Sequence, residues 1–140
     1  MSAGRRRVAA LGALIVVVGA GLVVARGLPG SEATDVAGDA LYAVAAYTGL
    51  VMLFPRASRA LLALGAALWC VGVELLQLTG IPLVLAEGFP PLALVLGTGF
   101  DARDLVVYAS AVAVALGVDA VVSARFLPRR RARTDVGASE

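Results

Sequence analysis

The chain has 140 residues, and 60% of them are hydrophobic, against roughly 45–50% in an average soluble domain. With a mean hydropathy of +0.91, so small a chain cannot bury its apolar surface in water, which excludes a soluble domain. The net charge is +2, every basic residue is arginine, and there is no histidine. With Cys70 as the single cysteine, an intrachain disulfide or a Cys/His metal site is excluded, and we expect no cofactor.

The first predicted span follows a basic N-terminus, residues 1–7, and runs over about 8–26. It contains an uncharged run from Val8 to Ala25, and about 20 mostly apolar residues suffice to cross a bilayer. A signal peptide is the competing interpretation, but its apolar region is normally about 7–15 residues and ends at a small-residue cleavage site. The longer run, with no such site before Arg26, favours an uncleaved helix.

The second and third spans are predicted over about 36–54 and 59–79, joined by a short basic loop. Turn and helix-start residues from Gly27 to Gly38 precede the second span. Pro55 ends it, and Ser58 can cap the third span. Gly80 and Pro82 then stop the third span.

The fourth span is predicted over about 102–124, before an arginine-rich tail at 125–140. The apolar segment from Ile81 to Gly99 contains Pro82 and the pair Pro90-Pro91, which remove backbone donors that lipid cannot replace. We therefore expect a short interfacial or re-entrant segment there. The predicted fold is an all-α integral membrane protein, a four-helix transmembrane bundle occupying residues 8–124.

The distribution of arginines predicts the orientation of this bundle. Positive residues stay on the cytoplasmic side, and four spans with a cytoplasmic N-terminus leave only Arg26 and Arg103 outside. A fifth span would put the arginine-rich C-terminus outside. The arginine bias also suggests a GC-rich, bacterial genome. We therefore expect a multi-pass protein of the bacterial cell membrane with both termini cytoplasmic, and lipid rather than nucleic acid as its surroundings.

This topology gathers polar residues in the outer leaflet. Glu74 lies about 9 Å below the outer end of the third span, at 1.5 Å per residue. Residues from three helices can converge with it, and the residues that we predict to form a ligand-binding or functional cluster are Asp39, Tyr42, Glu74, Gln77, Arg103, Asp104 and Tyr108. An acid at this depth is unfavourable unless it has a partner, a proton or water. The alternatives for Glu74 are an ion pair with Arg103, or a protonated carboxyl bonded to Gln77 or Tyr108.

Small residues at helical spacing predict which faces of the helices touch. The three faces are Asp104, Tyr108, Ala111 and Ala115 on the fourth span, Glu74, Cys70, Ala67 and Ala63 on the third, and Asp39, Tyr42, Ala46 and Gly49 on the second.

Each polar residue also has an ordinary structural interpretation. Asp39, Asp101 and Asp104 suit helix starts, and Tyr42 and Tyr108 suit a membrane interface. We expect Trp69 to pack in the core and Cys70 to act as a small hydrophobe. For Asp119, pairing with Arg125 or snorkelling to the cytoplasmic interface is the expected role.

The segments Gly38-Asp39-Ala40-Leu41-Tyr42-Ala43, Glu74-x-x-Gln77 and Gly99-Phe100-Asp101-x-Arg103-Asp104-Leu105 with Tyr108 resemble a small bacterial membrane-protein family, domain of unknown function 2809. The resemblance covers roughly residues 8–122. It implies a compact multi-span protein and leaves its activity open.

The same skeleton is distantly similar to VanZ-like proteins, which are linked to resistance against teicoplanin-type glycopeptides. There too an acid opens one span, an E-x-x-Q lies in the next, and a turn with arginine and aspartate precedes the last span. Tyr108 and Ala111 stand where the asparagine and glycine of that family would be.

These observations favour a non-enzymatic protein that binds a lipid-linked or cell-envelope ligand through the outer cluster. One alternative is a membrane-embedded enzyme with Glu74 or Asp104 as acid or base, although no nucleophile motif supports it and no catalytic residue is assigned. Others are a small proton-coupled transporter, a homo-oligomer, or an assembly partner of another membrane protein.

Overall fold

The computed structural model describes residues 2–97 and 99–125, and its regular elements in this part of the chain are helical. They are α1 (Ala3–Gly27), α2 (Glu32–Leu53), α3 (Arg59–Gln77), α4 (Ile81–Gly88), α5 (Ala93–Leu96) and α6 (Ala102–Arg125), with a 3₁₀ turn at Pro90–Leu92. Among the described residues, α1, α2, α3 and α6 are the helices long and apolar enough to cross a membrane. The predicted fold class, a four-helix membrane bundle, is confirmed.

The helix boundaries differ from the predicted spans by a few residues, because cap residues extend the helices beyond their apolar runs. α1 begins at Ala3, so the basic N-terminus is already helical. α2 begins at Glu32 behind Ser31, which forms a reciprocal capping box with Thr34. The predicted tail beyond Arg125 lies outside the described residues.

Side-chain caps determine where the remaining long helices, α3 and α6, begin. Ser58 accepts from the Leu61 amide and starts α3, as predicted. Asp101 accepts from the Arg103 amide over 2.8 Å and starts α6. Each side-chain oxygen satisfies a backbone amide that has no partner inside its helix.

The centre of the bundle is made from small residues, with α2 in contact with each of the other three long helices and α6 also packed against α3. Buried positions include Ala43 on α2, Ala66 and Cys70 on α3, and Ala111 and Ala115 on α6. Small side chains let helices approach closely where lipid provides no hydrophobic driving force between them. Large apolar side chains point outward instead, including Leu64, Leu68, Val106 and Val114.

The predicted contact faces are buried to different degrees. All four residues predicted on α6 are buried, whereas on α3 the fully buried alanine is Ala66, and Ala63 and Ala67 are half-buried. On α2 the buried residues are Ala43, Tyr47 and Val51, and the predicted face next to them is half-buried. Helix α2 touches three neighbours, so no single stripe describes its contacts.

The segment before α6 folds as short pieces instead of a span. Gly80 takes a left-handed backbone (φ 72°), which ends α3 and lets α4 turn away. α4 has 8 residues and α5 has 4, both far below the length needed to cross lipid. This agrees with the expectation of a short segment without a fifth span.

Asp119 does not pair with Arg125, and that expectation is wrong. Its Oδ2 lies 2.6 Å from Arg6 Nη2 and 3.5 Å from Arg59 Nε, and it accepts from the Tyr47 hydroxyl at 2.9 Å. Arg6 also donates to the carbonyls of the α2–α3 loop. The antiparallel packing brings the start of α1 beside the end of α6, so a partner distant in sequence displaces the local one.

The two ends of the bundle carry different sets of charged residues. The acidic end is where α2 and α6 begin and α3 ends, and it holds Asp39, Glu74 and Asp104. The arginine end is the opposite one, where Arg6, Arg59 and Asp119 meet.

Candidate functional site

A cavity of about 640 Å³ opens at the acidic end, between α1, α2, α3, α6 and the segment around α5. Its walls contain all seven residues that the sequence analysis singled out: Asp39, Tyr42, Glu74, Gln77, Arg103, Asp104 and Tyr108. The helix spacing and the alternating directions of the spans were enough to bring them together.

Glu74 is the deepest carboxyl of this cavity and is only 1% exposed. Its Oε1 accepts from the Tyr108 hydroxyl at 2.9 Å, and its Oε2 accepts from the Asp101 backbone amide at 3.3 Å. Both oxygens are therefore satisfied by α6 and its N-terminus. The alternative in which Glu74 bonds to Tyr108 is the geometry found.

The expected ion pair between Glu74 and Arg103 is absent from the described contacts. Arg103 instead donates to Glu32 at 2.9 Å and lies 3.6 Å from Asp101 and 3.9 Å from Asp104. Its side chain is 40% exposed, because an arginine at a helix start can reach water while Glu74 lies below it. Arg103 thus marks the mouth of the cavity.

Tyr42 joins α2 to two other elements. Its hydroxyl donates to the Val95 carbonyl at 2.7 Å and accepts from Trp69 Nε1 at 2.8 Å. Trp69 is 52% exposed on the outside of the bundle, so the expectation that it packs in the core is wrong. The indole N–H of this outward-facing side chain is satisfied by Tyr42. The neighbouring Cys70 is fully buried as expected.

Gln77 holds the chain after α5 against the end of α3. Its Nε2 donates to the Leu96 carbonyl at 2.8 Å. The next residue, Gly97, has φ 64° and ψ −174°, a conformation essentially limited to glycine. A Cβ at Gly97 would also collide with the Gln77 amide, so both the backbone and the close contact require glycine.

Asp39 of α2 adjoins Asp104, which lies in the first turn of α6. Asp39 Oδ1 lies 3.5 Å from the Tyr108 hydroxyl. Asp104 is 9% exposed, and its Oδ1 has no hydrogen-bond donor among the described residues. The same holds for Gln77 Oε1. These two acceptors are available to a molecule that enters the cavity.

Comparison with protein families identifies the chain. The model of the family described as "Protein of unknown function (DUF2809)" matches residues 31–112, more than half of the 140 residues. The chain belongs to the DUF2809 family. No curated protein and no solved structure matches it. The matched range contains all seven predicted site residues of this DUF2809 protein, since they lie on α2, α3 and the first part of α6.

The chemistry of the DUF2809 cavity is dominated by carboxylates and hydrogen-bond acceptors. No group of three or more potential metal ligands of the kind formed by His, Cys, Asp and Glu occurs in the described part of the chain. The nearby Ser110 is exposed, and its hydroxyl donates to the Val106 carbonyl. The arrangement suits the binding of a polar group better than nucleophilic chemistry.

Four groups in and around this cavity were not among the predicted site residues. Asp35 lines it from the first turn of α2, and Gly97 lines it after α5. The carbonyls of Val95 and Leu96 receive the Tyr42 and Gln77 hydrogen bonds. The glycine after an apolar run was a usable signal, but backbone carbonyls leave no trace in sequence.

Proposed function

We propose that this DUF2809 protein is a multi-pass protein of the bacterial plasma membrane that binds a lipid or cell-envelope ligand in the acidic-end cavity without catalysing a reaction. The observation that carries the proposal is the cavity itself, about 640 Å³ in volume. A binding site is typically a pre-formed concavity of about 300–1,000 Å³ with a few placed polar groups. The distant similarity to VanZ-like proteins, which are linked to resistance against teicoplanin-type glycopeptides, agrees with a ligand of this class.

The orientation belongs to the same proposal. The acidic end lies in the outer leaflet and both termini are cytoplasmic, because arginines concentrate at the arginine end and the positive-inside rule places that end in the cytoplasm. A cavity in the outer leaflet would be accessible to lipids and envelope precursors.

The hydrogen bonding of Glu74 supports binding over catalysis. Glu74 is buried and both of its oxygens accept hydrogen bonds from protein groups. A general base must reach the proton that it removes, and a carboxylate held in this way is better suited to positioning Tyr108 and the start of α6.

A proton-coupled transporter receives less support. The acidic end and the Asp119 cluster are separated by a layer in which the described buried residues are apolar, among them Ala66, Cys70, Ala111 and Ala115. Proton paths through membrane proteins are built from chains of ionisable side chains. The described core offers no such chain between the two ends.

Filling the cavity tests the proposal. Gly38 lines the cavity, and a Cβ built there meets nothing within 4 Å, so Gly38→Phe should occupy the space without a backbone clash. Lipids that remain bound during extraction from native bacterial membranes would be identified by native mass spectrometry. We expect the wild type to retain a distinct lipid or envelope molecule and Gly38→Phe to lose it.

The matched control is Gly49→Phe. Gly49 lies on the same helix, has equally open surroundings and does not line the cavity. It should retain the molecule. If the wild type retains no specific molecule, or if the two variants retain it equally, the cavity is not a ligand site.

A further inference from the structure

Two acceptors in the cavity point to a ligand that donates hydrogen bonds. Gln77 Oε1 and Asp104 Oδ1 have no donor among residues 2–97 and 99–125. Arg103 Nε is 3.9 Å from Asp104 Oδ1, beyond the usual limit of about 3.2 Å for such a bond. The orientation of the Gln77 amide is fixed, because its nitrogen must face the Leu96 carbonyl. A buried acceptor without a donor is unfavourable, so the cavity favours a molecule that supplies N–H or O–H groups.

The charges of the residues that line the cavity indicate which kind of hydrogen-bond donor fits best. Its lining carries the carboxyls of Asp35, Asp39, Glu74, Asp101 and Asp104 but a single guanidinium, that of Arg103. Asp39 and Asp104 also adjoin each other. Neighbouring carboxylates oppose each other's ionisation unless a cation or a proton lies between them. Even when Asp39 and Asp104 share one proton, the lining holds more carboxyls than its single guanidinium can balance, so a cationic donor is favoured over an anion.

The cation that fits is organic. The described residues include no cluster suited to a metal ion, and the amide oxygen of Gln77 shares the cavity with the carboxylates. An ammonium group carries three donors and one positive charge. We propose, on the basis of the function proposed above, that the cavity binds a primary ammonium group seated between Asp39, Asp104 and Gln77.

The mouth of the cavity suggests how a larger ligand would be accommodated. Arg103 pairs there with Glu32, whose side chain is 79% exposed. Exposed ion pairs of this kind contribute little stability, so a phosphate attached to the ammonium can replace Glu32 at the guanidinium. A phosphoethanolamine headgroup should therefore bind more tightly than a free amine.

The single tryptophan of the chain provides the probe. Trp69 donates to Tyr42, which lines the cavity, so its fluorescence reports occupancy. The full-length protein in a non-ionic detergent would be titrated with short-chain phosphatidylethanolamine, phosphatidylcholine, phosphatidylglycerol and free ethanolamine. Phosphatidylcholine is the decisive comparison, because its nitrogen keeps the charge but has no N–H.

We expect phosphatidylethanolamine to bind about tenfold or more tightly than phosphatidylcholine, with phosphatidylglycerol weaker still. Free ethanolamine should compete with the lipid at higher concentration. If ethanolamine instead binds as tightly as the lipid, the cavity still binds an ammonium group, but its ligand is a free amine and not a lipid headgroup. In Asp104→Asn the preference for ethanolamine over choline should fall to about twofold or less. Glu87→Gln, an exposed carboxyl outside the cavity, should keep the full preference.

Equal affinity for the ethanolamine and choline lipids would overturn the proposal, and so would tighter binding of phosphatidylglycerol, saturation by Ca²⁺ or Mg²⁺ alone, or a preference unchanged in Asp104→Asn. The lipid comparison needs no variant, so it remains decisive even if Asp104→Asn fails to fold.

Failure of the ammonium proposal is distinct from failure of the cavity as a site. In the first case Gly38→Phe still removes the retained molecule, and in the second it has no effect.

Discussion

The hydroxyl of Tyr108 on α6 donates to Glu74 of α3 across 2.9 Å, in the buried floor of the acidic-end cavity. Glu74 is 1% exposed and Tyr108 is 5% exposed. This one bond supplies a partner for a membrane-embedded carboxyl, which is unfavourable without one. It also fixes the helix that carries Asp104 at a set height against α3.

Removing the Tyr108 hydroxyl should show how much stability its bond to Glu74 contributes. Tyr108→Phe leaves Glu74 with a single protein donor, the Asp101 amide, and should lower the free energy of unfolding by about 0.5–2 kcal/mol, as interhelical hydrogen bonds in membrane proteins do. Unfolding in mixed detergent micelles would measure the change. A double-mutant cycle with Glu74→Ala, which removes the acceptor, provides the control, since the two effects should be non-additive. Strictly additive effects would mean that the bond contributes nothing.

The Arg6–Asp119 pair should be the main electrostatic determinant of stability at the arginine end. Both side chains are about nine-tenths buried, at 10% and 12% exposure. Arg6→Ala leaves Asp119 without its closest cation and should destabilise the protein by about 3–5 kcal/mol. Arg5→Ala removes the same charge from the neighbouring, exposed position and should change stability by no more than about 0.5 kcal/mol. Similar losses in both variants would show that overall charge, and not the buried pair, matters.

Gly97 should be intolerant of any side chain. Gly97→Ala must leave the glycine-only conformation or displace the Gln77 amide, which costs about 1–3 kcal/mol. Gly99→Ala is the control, because a Cβ there meets nothing within 4 Å. Thermal unfolding should separate the two variants clearly, and an unchanged midpoint for Gly97→Ala would contradict the close contact with Gln77.

Orientation in the membrane can be measured with single cysteines, since the chain contains only Cys70. In a Cys70→Ala background, Glu87→Cys should react with a membrane-impermeant maleimide in intact bacterial cells. Ser139→Cys, near the C-terminus, should react only after the cells are permeabilised, because the arginine distribution places that end inside. The background protein should remain unlabelled. Labelling of Ser139→Cys in intact cells would reverse the proposed topology.

The sequence by itself determined the class of fold and the end of the bundle at which Asp39, Glu74 and Asp104 lie. Four apolar runs of spanning length admit few other structures in lipid, because backbone groups must be satisfied within each helix. Helical spacing and alternating directions then bring Asp39, Glu74 and Asp104 to one end, and this was predictable residue by residue.

Only the tertiary structure decided which of these residues are partners. Rotation and register between helices set contacts to within an ångström or two, and periodicity does not specify them. For Glu74 the sequence left Arg103, Gln77 and Tyr108 open as partners, and packing selected Tyr108. For Asp119 the sequence suggested Arg125, whereas packing gave Arg6. Trp69 likewise lies outward, with its N–H bonded to the Tyr42 hydroxyl. Pairing in a bundle depends on side-chain geometry between helices, and that geometry exists only once the helices are packed.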